Sequence, residues 1–448
     1  MRLHQHRRLC QSIALAFSSL GGIAAMASPN VQGGGSSLIA PAIGTIVNPA
    51  TEIGLFGTAE GSFTYYSVGS GAGQNAFLNN RPTFFGSTVT GTVHFANSDA
   101  ALSTAQLTSY KAGLGATNGP LIQIPYIVTP ITIPVVNGPA VTSTTTPQTT
   151  PGQAHSIALN DDDLCGIFSG RITDWAGTVV NGVRTNPPIN PETVSPYTTT
   201  SMPIKVVYSS DASGTTELLT RHLAAVCTTT NTATGVTFFD SMTFTVSFPG
   251  GVVPSNFIAA SGDGGIRRQL ASYASAGMAA VAYLAPNYSN TFLAPSSTVV
   301  TSAGALQLPV ASLVNAKNNV YYAPTYANAT MALGNVTPPG KLTAGNPARW
   351  TDSLFNVRGP NSGYPVSGMS YILVSQCYKD LAVTAAMHDF LNAHYTNASF
   401  ASIVHGNGFD TVPSNYQMAI SANFLNNSSG INLDIGNTSV CTGTVTGR

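Results

Sequence analysis

One arrangement recurs along this chain: a short apolar run, a few small polar residues, then apolar positions spaced as on one face of a helix. Phe63 to Val68 leads into Gly69-Ser70-Gly71-Ala72-Gly73 and then Gln74 to Leu78. Thr92 to Ala96 leads into Asn97-Ser98-Asp99 and a helical pattern through Leu102, Leu107 and Tyr110. Ile204 to Tyr208 leads through Ser213-Gly214-Thr215-Thr216 into Glu217 to Leu223. Gly33 to Leu38 follows a shorter extended stretch in the same manner. Repeated strand, loop and helix predict an α/β fold, in which ligands sit at the carboxyl ends of strands. The Ser213 loop carries the strongest signal, because unpaired N–H groups and the positive dipole end at a helix start make an oxyanion site. An ordinary Ser/Thr helix cap explains the same four residues when they are taken alone.

Other segments fill in the plan. Ile124 to Val136 is extended and broken by three prolines, which excludes a helix; it is long enough to pass between two lobes. Tyr364 to Val374 reads as the return crossing, or the two runs are buried strands of a single sheet. Thr142–Thr150 and Thr185–Ser201 read as loops, and 287–362 gives no clear assignment. Cys165 is expected to open one helix, and Cys227 to close the helix begun at Ser213. Leu381 to His394 reads as an amphipathic helix, and Pro413-Ser414-Asn415 starts another through Phe424.

A chain of 448 residues exceeds one ordinary core, so two or more lobes are expected. Only 8% of residues are charged, against ~25% in typical soluble domains. Net charge is zero and no basic run lies beyond the first residues, which excludes nucleic-acid binding. Arg2, Arg7 and Arg8, the small apolar stretch Ser12–Ala25 and Ala25-Met26-Ala27 form a secretory signal with cleavage near Ala27, so a periplasmic or secreted protein is expected. Cleavage removes Cys10 and leaves four cysteines, an even number that argues for two disulfides in an exported chain. Of three connectivities, Cys165–Cys227 with Cys377–Cys441 gives each lobe its own bridge. No dinucleotide fingerprint, Walker sequence or C-x-x-C pair is present, and no carboxylate–histidine cluster suggests a metal centre, so no cofactor or metal is expected.

Several segments in order resemble the phosphate-binding protein of bacterial phosphate ABC transporters, and more closely its DING subfamily. They are Gly33 to Leu38, Gly69-Ser70-Gly71, Ser98-Asp99, Asp163 to Trp175, Ser213 to Leu218, Ser375 to Tyr378 and Ile435 to Cys441. The resemblance implies a two-lobed periplasmic-binding-protein fold of type II, each lobe a sheet flanked by helices, with phosphate in the cleft. On that plan residues 28–128 and 366–448 form the first lobe and 129–365 the second. It implies ligand contacts from Ser37, Leu38 (through its N–H), Ser70, Asp99, Ser213, Gly214 and Thr215, and the same disulfide pairing. Inorganic phosphate is the implied partner of a monomer that serves a membrane permease.

Asp99 has a clear chemical use in such a site. Phosphate near neutral pH carries a proton and sulfate does not, so a fixed carboxylate accepts from the first and repels the second. A helix N-cap is the other reading of Asp99. A hydrolase acting on phosphate esters is the alternative function. Ser213 lies outside any G-x-S-x-G elbow, and His222, His388, His394 and His405 are scattered. A charge-poor adhesion protein is a third reading. The resembling family usually has arginine where this chain has Ser209, which leaves Asp211 without its expected partner; Arg267 and Arg268 are substitutes if they reach the cleft, and otherwise a solvated helix start. Ser209→Arg is expected to tighten phosphate binding in calorimetry; an unchanged affinity means that compensation already exists.

Overall fold

The computed structural model describes residues 28–181, 183–185, 187–190, 192–289, 307–351 and 359–448. The secretory signal and parts of 287–362 lie outside the described residues. Two sheets organise the rest. The larger contains β1 (Asn30–Gly35), β2 (Ser62–Ser67), β3 (Phe95–Ser98), β4 (Leu121–Pro130), β9 (Ser367–Ser375) and β10 (Asp410–Thr411), in the order β10-β4-β9-β3-β1-β2. The smaller contains β5 (Val135–Val136), β6 (Lys205–Ser209), β7 (Phe257–Ala260) and β8 (Ala280–Ala282), in the order β7-β6-β8-β5. β1 pairs in parallel with β2 and β3, and β6 in parallel with β7 and β8. Both parallel sets therefore end their strands on one edge, and each strand hands over to a small polar loop.

Every residue of β4 and β9 is buried, because helices cover both faces of the sheet. α1 (Ser70–Leu78) packs on β1 and β3, and the helix Tyr326–Leu333 packs on β4 and β9. Beyond Pro130 the chain leaves the large sheet, pairs Thr132 with Leu284 and enters the small one at β5. The proline-broken run thus connects the two sheets, while Tyr364 to Val374 stays with the large one. Inside Thr185–Ser201, expected to be loop, Ile189–Asn190 pairs with Ser195–Pro196 as a short antiparallel ladder, and Val183–Thr185 at its start pairs with Thr178–Val180. The C-terminal helix expected through Phe424 is α-helical over Ser414–Ile420 and closes with a π turn, Ser421–Leu425.

Both disulfides are formed, Cys165–Cys227 and Cys377–Cys441, at sequence separations of 62 and 64. Cross-links of that span stabilise by ~2–4 kcal/mol each. Cys165 does not open its helix. That helix runs Asp161–Ser169, starts at the Asn160–Asp163 capping box and places three aspartates in its first turn, where the dipole favours negative charge. Cys227 does close the helix α2 (Gly214–Val226).

A buried ionic cluster fastens the back of the large sheet. Pro125 brings no N–H to the ladder, and the β4–β9 register slips so that Tyr126 is the unpaired bulge residue. Its carbonyl is thereby free to accept from His394 Nε2 at 2.8 Å, while His394 Nδ1 donates to Glu52 Oε1 at 2.8 Å. Tyr126 Oη donates to the other Glu52 oxygen, and its ring stacks on the imidazole with centroids 3.6 Å apart. Nε2 thus faces the Tyr126 carbonyl and Nδ1 the Glu52 carboxyl group, so both imidazole nitrogens are partnered inside the fold. Removing one member of such a pair strands the other charge. His394→Ala is expected to destabilise the fold by about 3–5 kcal/mol; urea denaturation at neutral pH checks it, and a loss below about 1 kcal/mol contradicts the ionic reading.

Candidate functional site

Five strand ends converge. β1 delivers Ser36-Ser37-Leu38, β2 delivers Ser70, β3 delivers Asp99, β6 delivers Asp211 to Thr215, and β7 delivers Gly262-Asp263. The first three come from the large sheet and the last two from the small one. The loops are short and rich in small residues, so backbone and hydroxyl groups meet with no bulky side chain between them. Ser70 is the first residue of α1, and Ser213 caps α2 with its Oγ accepting from Thr216 N at 3.4 Å. The cap and the cleft position belong to the same residue. Asp99 is not a cap: the next helix starts at Thr104 and is capped by Ser103.

Asp99 is buried and accepts from Ser36 Oγ at 2.8 and 2.7 Å and from Ser70 Oγ at 3.3 Å. Ser370 on β9 also faces it, with a buried hydroxyl that finds no other partner. Burial pushes its carboxyl up from 3.8 to about 6; the Ser36 hydroxyl opposes that shift, the nearby Asp263 charge adds to it, and no cation offsets it. From the facing lobe, Gly214 comes so close that a methyl group there would stand 2.6 Å from Asp99 Cβ and Ser70 Oγ. Only glycine fits that contact. Beside it, Gly71 N donates to Ala212 O at 2.9 Å, a backbone bond from one lobe to the other.

Asp263 is the second buried carboxylate. Ser37 Oγ donates to its Oδ2 at 2.5 Å, Thr215 Oγ1 reaches the same oxygen at 3.3 Å, and Ala285 N donates to Oδ1 at 3.2 Å. Burial raises its pKa, opposed by the Ser37 hydroxyl and assisted by Asp211. Asp211 has partners in place of an arginine: Ser209 Oγ at 2.6 Å and Gly262 N at 2.7 Å. Ser209 N in turn donates to Tyr283 Oη at 3.0 Å. Arg267 and Arg268 lie on α3 (Gly262–Ser275); Arg267 is buried, not a solvated helix start, and donates to the Tyr288 carbonyl at 2.5 Å.

The structure brings Ser37, Leu38, Ser70, Asp99, Gly214 and Thr215 to one cleft, with Ser213 at the start of the same loop. Sequence reading missed three neighbours. Ser36 bonds Asp99, and the Leu38 N–H, expected to serve the ligand, donates to Ser36 Oγ at 3.1 Å. Asp263 lies in a fifth strand–loop–helix repeat, Phe257 to Arg268, in which it is the acid beside two arginines. Ser370 lies in an apolar strand and gave no signal.

The profile of the PBP superfamily domain matches residues 23–337. A phosphate-binding protein from an unknown prokaryotic organism is 33% identical over 387 residues, covering 85% of this chain and 92% of that one. The crystal structure of a high-affinity periplasmic phosphate-binding protein (PfluDING), bound with phosphate at pH 8.5, is 31% identical with a TM-score of 0.69 and covers 94% of this chain and 99% of its own. The chain belongs to the DING family of phosphate-binding proteins. A further relative, named alkaline phosphatase L, from Pseudomonas aeruginosa strain PAO1, is 32% identical over 439 residues, covering 96% of this chain and 98% of that one. The two-lobed fold expected of the DING family is the one observed.

The raised Asp99 value has a consequence for stability. The folded protein holds that proton more tightly than the unfolded chain, so stability falls as pH rises from 3.8 to about 6 and stays low above it. Asp99→Asn is expected to stabilise the ligand-free protein at pH 7 by roughly 2–3 kcal/mol, measured by chemical denaturation. An Asn variant no more stable than the parent at pH 7 would show that the serine hydroxyls fully compensate the buried charge.

Proposed function

We propose that this chain captures inorganic phosphate between its two lobes, outside the cytoplasm. The observation that carries the reading is the meeting of Ser and Thr hydroxyls, helix N-termini and a buried carboxylate from five strand ends, in a chain of the DING family. An anion taken from water needs a dense shell of donors. Ser36, Ser37, Ser70, Ser213 and Thr215 offer hydroxyls, and the first turns of α1 and α2 offer N–H groups aimed by the helix dipole. Asp99 accepts a ligand proton and so favours phosphate over sulfate. Among the described residues no group of His, Cys, Asp and Glu could hold a metal ion, and no helix is long and apolar enough to cross a membrane. Delivery of the ion to a membrane permease by a monomer completes the proposal.

The relative named alkaline phosphatase L motivates a second reading, ester hydrolysis. A serine nucleophile needs a base. All six described histidines are engaged elsewhere: His94 with Gln32, His155 with Thr146, His222 with Asp161, His388 with Asp389, His394 with Glu52 and His405 with Asp410. Binding without turnover is therefore the favoured reading.

Calorimetry with phosphate, arsenate and sulfate tests the proposal. Phosphate and arsenate are expected to bind and sulfate to give no heat. Gly214→Ala is expected to weaken phosphate by more than about tenfold, since its methyl would hold the lobes apart. Turnover of a chromogenic phosphate ester that Ser213→Ala abolishes would establish the hydrolase reading instead.

A further inference from the structure

The cleft holds a second carboxylate placed like the first. Asp99 takes hydroxyls from β1 and β2, through Ser36 and Ser70. Asp263 takes hydroxyls from β1 and α2, through Ser37 and Thr215, two of the residues assigned to the phosphate shell. Each bridges groups that an anion would contact, and each is buried. We propose that Asp263 is a second proton acceptor of the phosphate site, so that this chain takes phosphate with two protons rather than one. The inference rests on the phosphate reading and adds which ionic form is selected.

The argument is a count of protons. One buried carboxylate facing a phosphate oxygen needs one proton between them, and the monohydrogen dianion supplies it. Two such carboxylates need two, because each unshared contact sets oxygen against oxygen with like charge. Either the ligand enters as the dihydrogen monoanion, or a carboxyl group carries the extra proton. The complex holds the same two protons in both cases. Charged and titratable groups around Asp263 do not change the count. Asp99 and Asp211 repel an added negative charge, Tyr283 and Tyr288 stay neutral because burial raises their pKa, and Tyr65 beside Asp99 is likewise raised. Arg267 and Arg268 lie on the same helix as Asp263, Arg267 donating to the Tyr288 carbonyl.

Calorimetry of the purified protein with inorganic phosphate, from about pH 6 to about pH 9 in buffers of differing ionisation enthalpy, counts these protons. Above the ionisations of phosphate and of Asp263, binding is expected to take up about one proton, and affinity to fall about tenfold per pH unit. Asp263→Asn is expected to take up none over that range and to bind phosphate more tightly than the parent at the alkaline end. A parent protein with flat affinity and no proton uptake overturns the inference while leaving phosphate capture standing, and needs no variant to be read. Uptake that persists in Asp263→Asn, with an unchanged thermal melt to show that the variant folds, overturns the assignment to Asp263. No phosphate heat at any pH overturns the function itself.

Discussion

Buried negative charge met only by neutral donors is the constraint that shapes this molecule's cleft. The buried Asp99 and Asp263, and the half-buried Asp211 beside them, are each held by serine or threonine hydroxyls or by backbone N–H groups. Such donors are short, so they serve a carboxylate only when the main chain that bears them comes very near. That explains why the loops at the strand ends are built from glycine, serine and alanine, and why the two lobes meet backbone to backbone. The contrast is the Glu52–His394 cluster behind the sheet, where a buried carboxyl group far from the cleft meets a histidine and a tyrosine.

Much of this was legible in the chain before any coordinates. The strand, small loop and helix repeats at Ser70, Asp99 and Ser213 mark real strand ends, because short apolar runs followed by glycine and serine leave few other folds. The proline-broken run from Ile124 to Val136 does connect the two sheets. What the repeats could not show was which side chain faces which. Ser36 and Ser37 are adjacent and chemically identical, yet they serve different aspartates on different lobes, a distinction set by the turn after β1. Asp99 as a cap failed for a related reason: four extra residues separate the strand end from the helix, and local spacing alone does not reveal them.

The missing arginine illustrates the limit from the other direction. A residue-by-residue comparison leaves Asp211 without a partner when serine stands at 209. In three dimensions the gap is closed by Ser209 itself and by the N–H of Gly262, which arrives from β7, about fifty positions along the chain. Nothing in the local sequence announces that bond. The same bond ties the start of α3, next to Asp263, to the loop that leads into Ser213.

The main-chain bond from Gly71 to Ala212 works as a latch with no side chain of its own. A methyl added at Gly71 would meet Ala212 Cβ at 2.6 Å and act as a wedge between the two lobes. Contact between the lobes at this point is therefore made by peptide groups, which every residue type but proline supplies in full, so side-chain changes around it leave the bond's two partners in place.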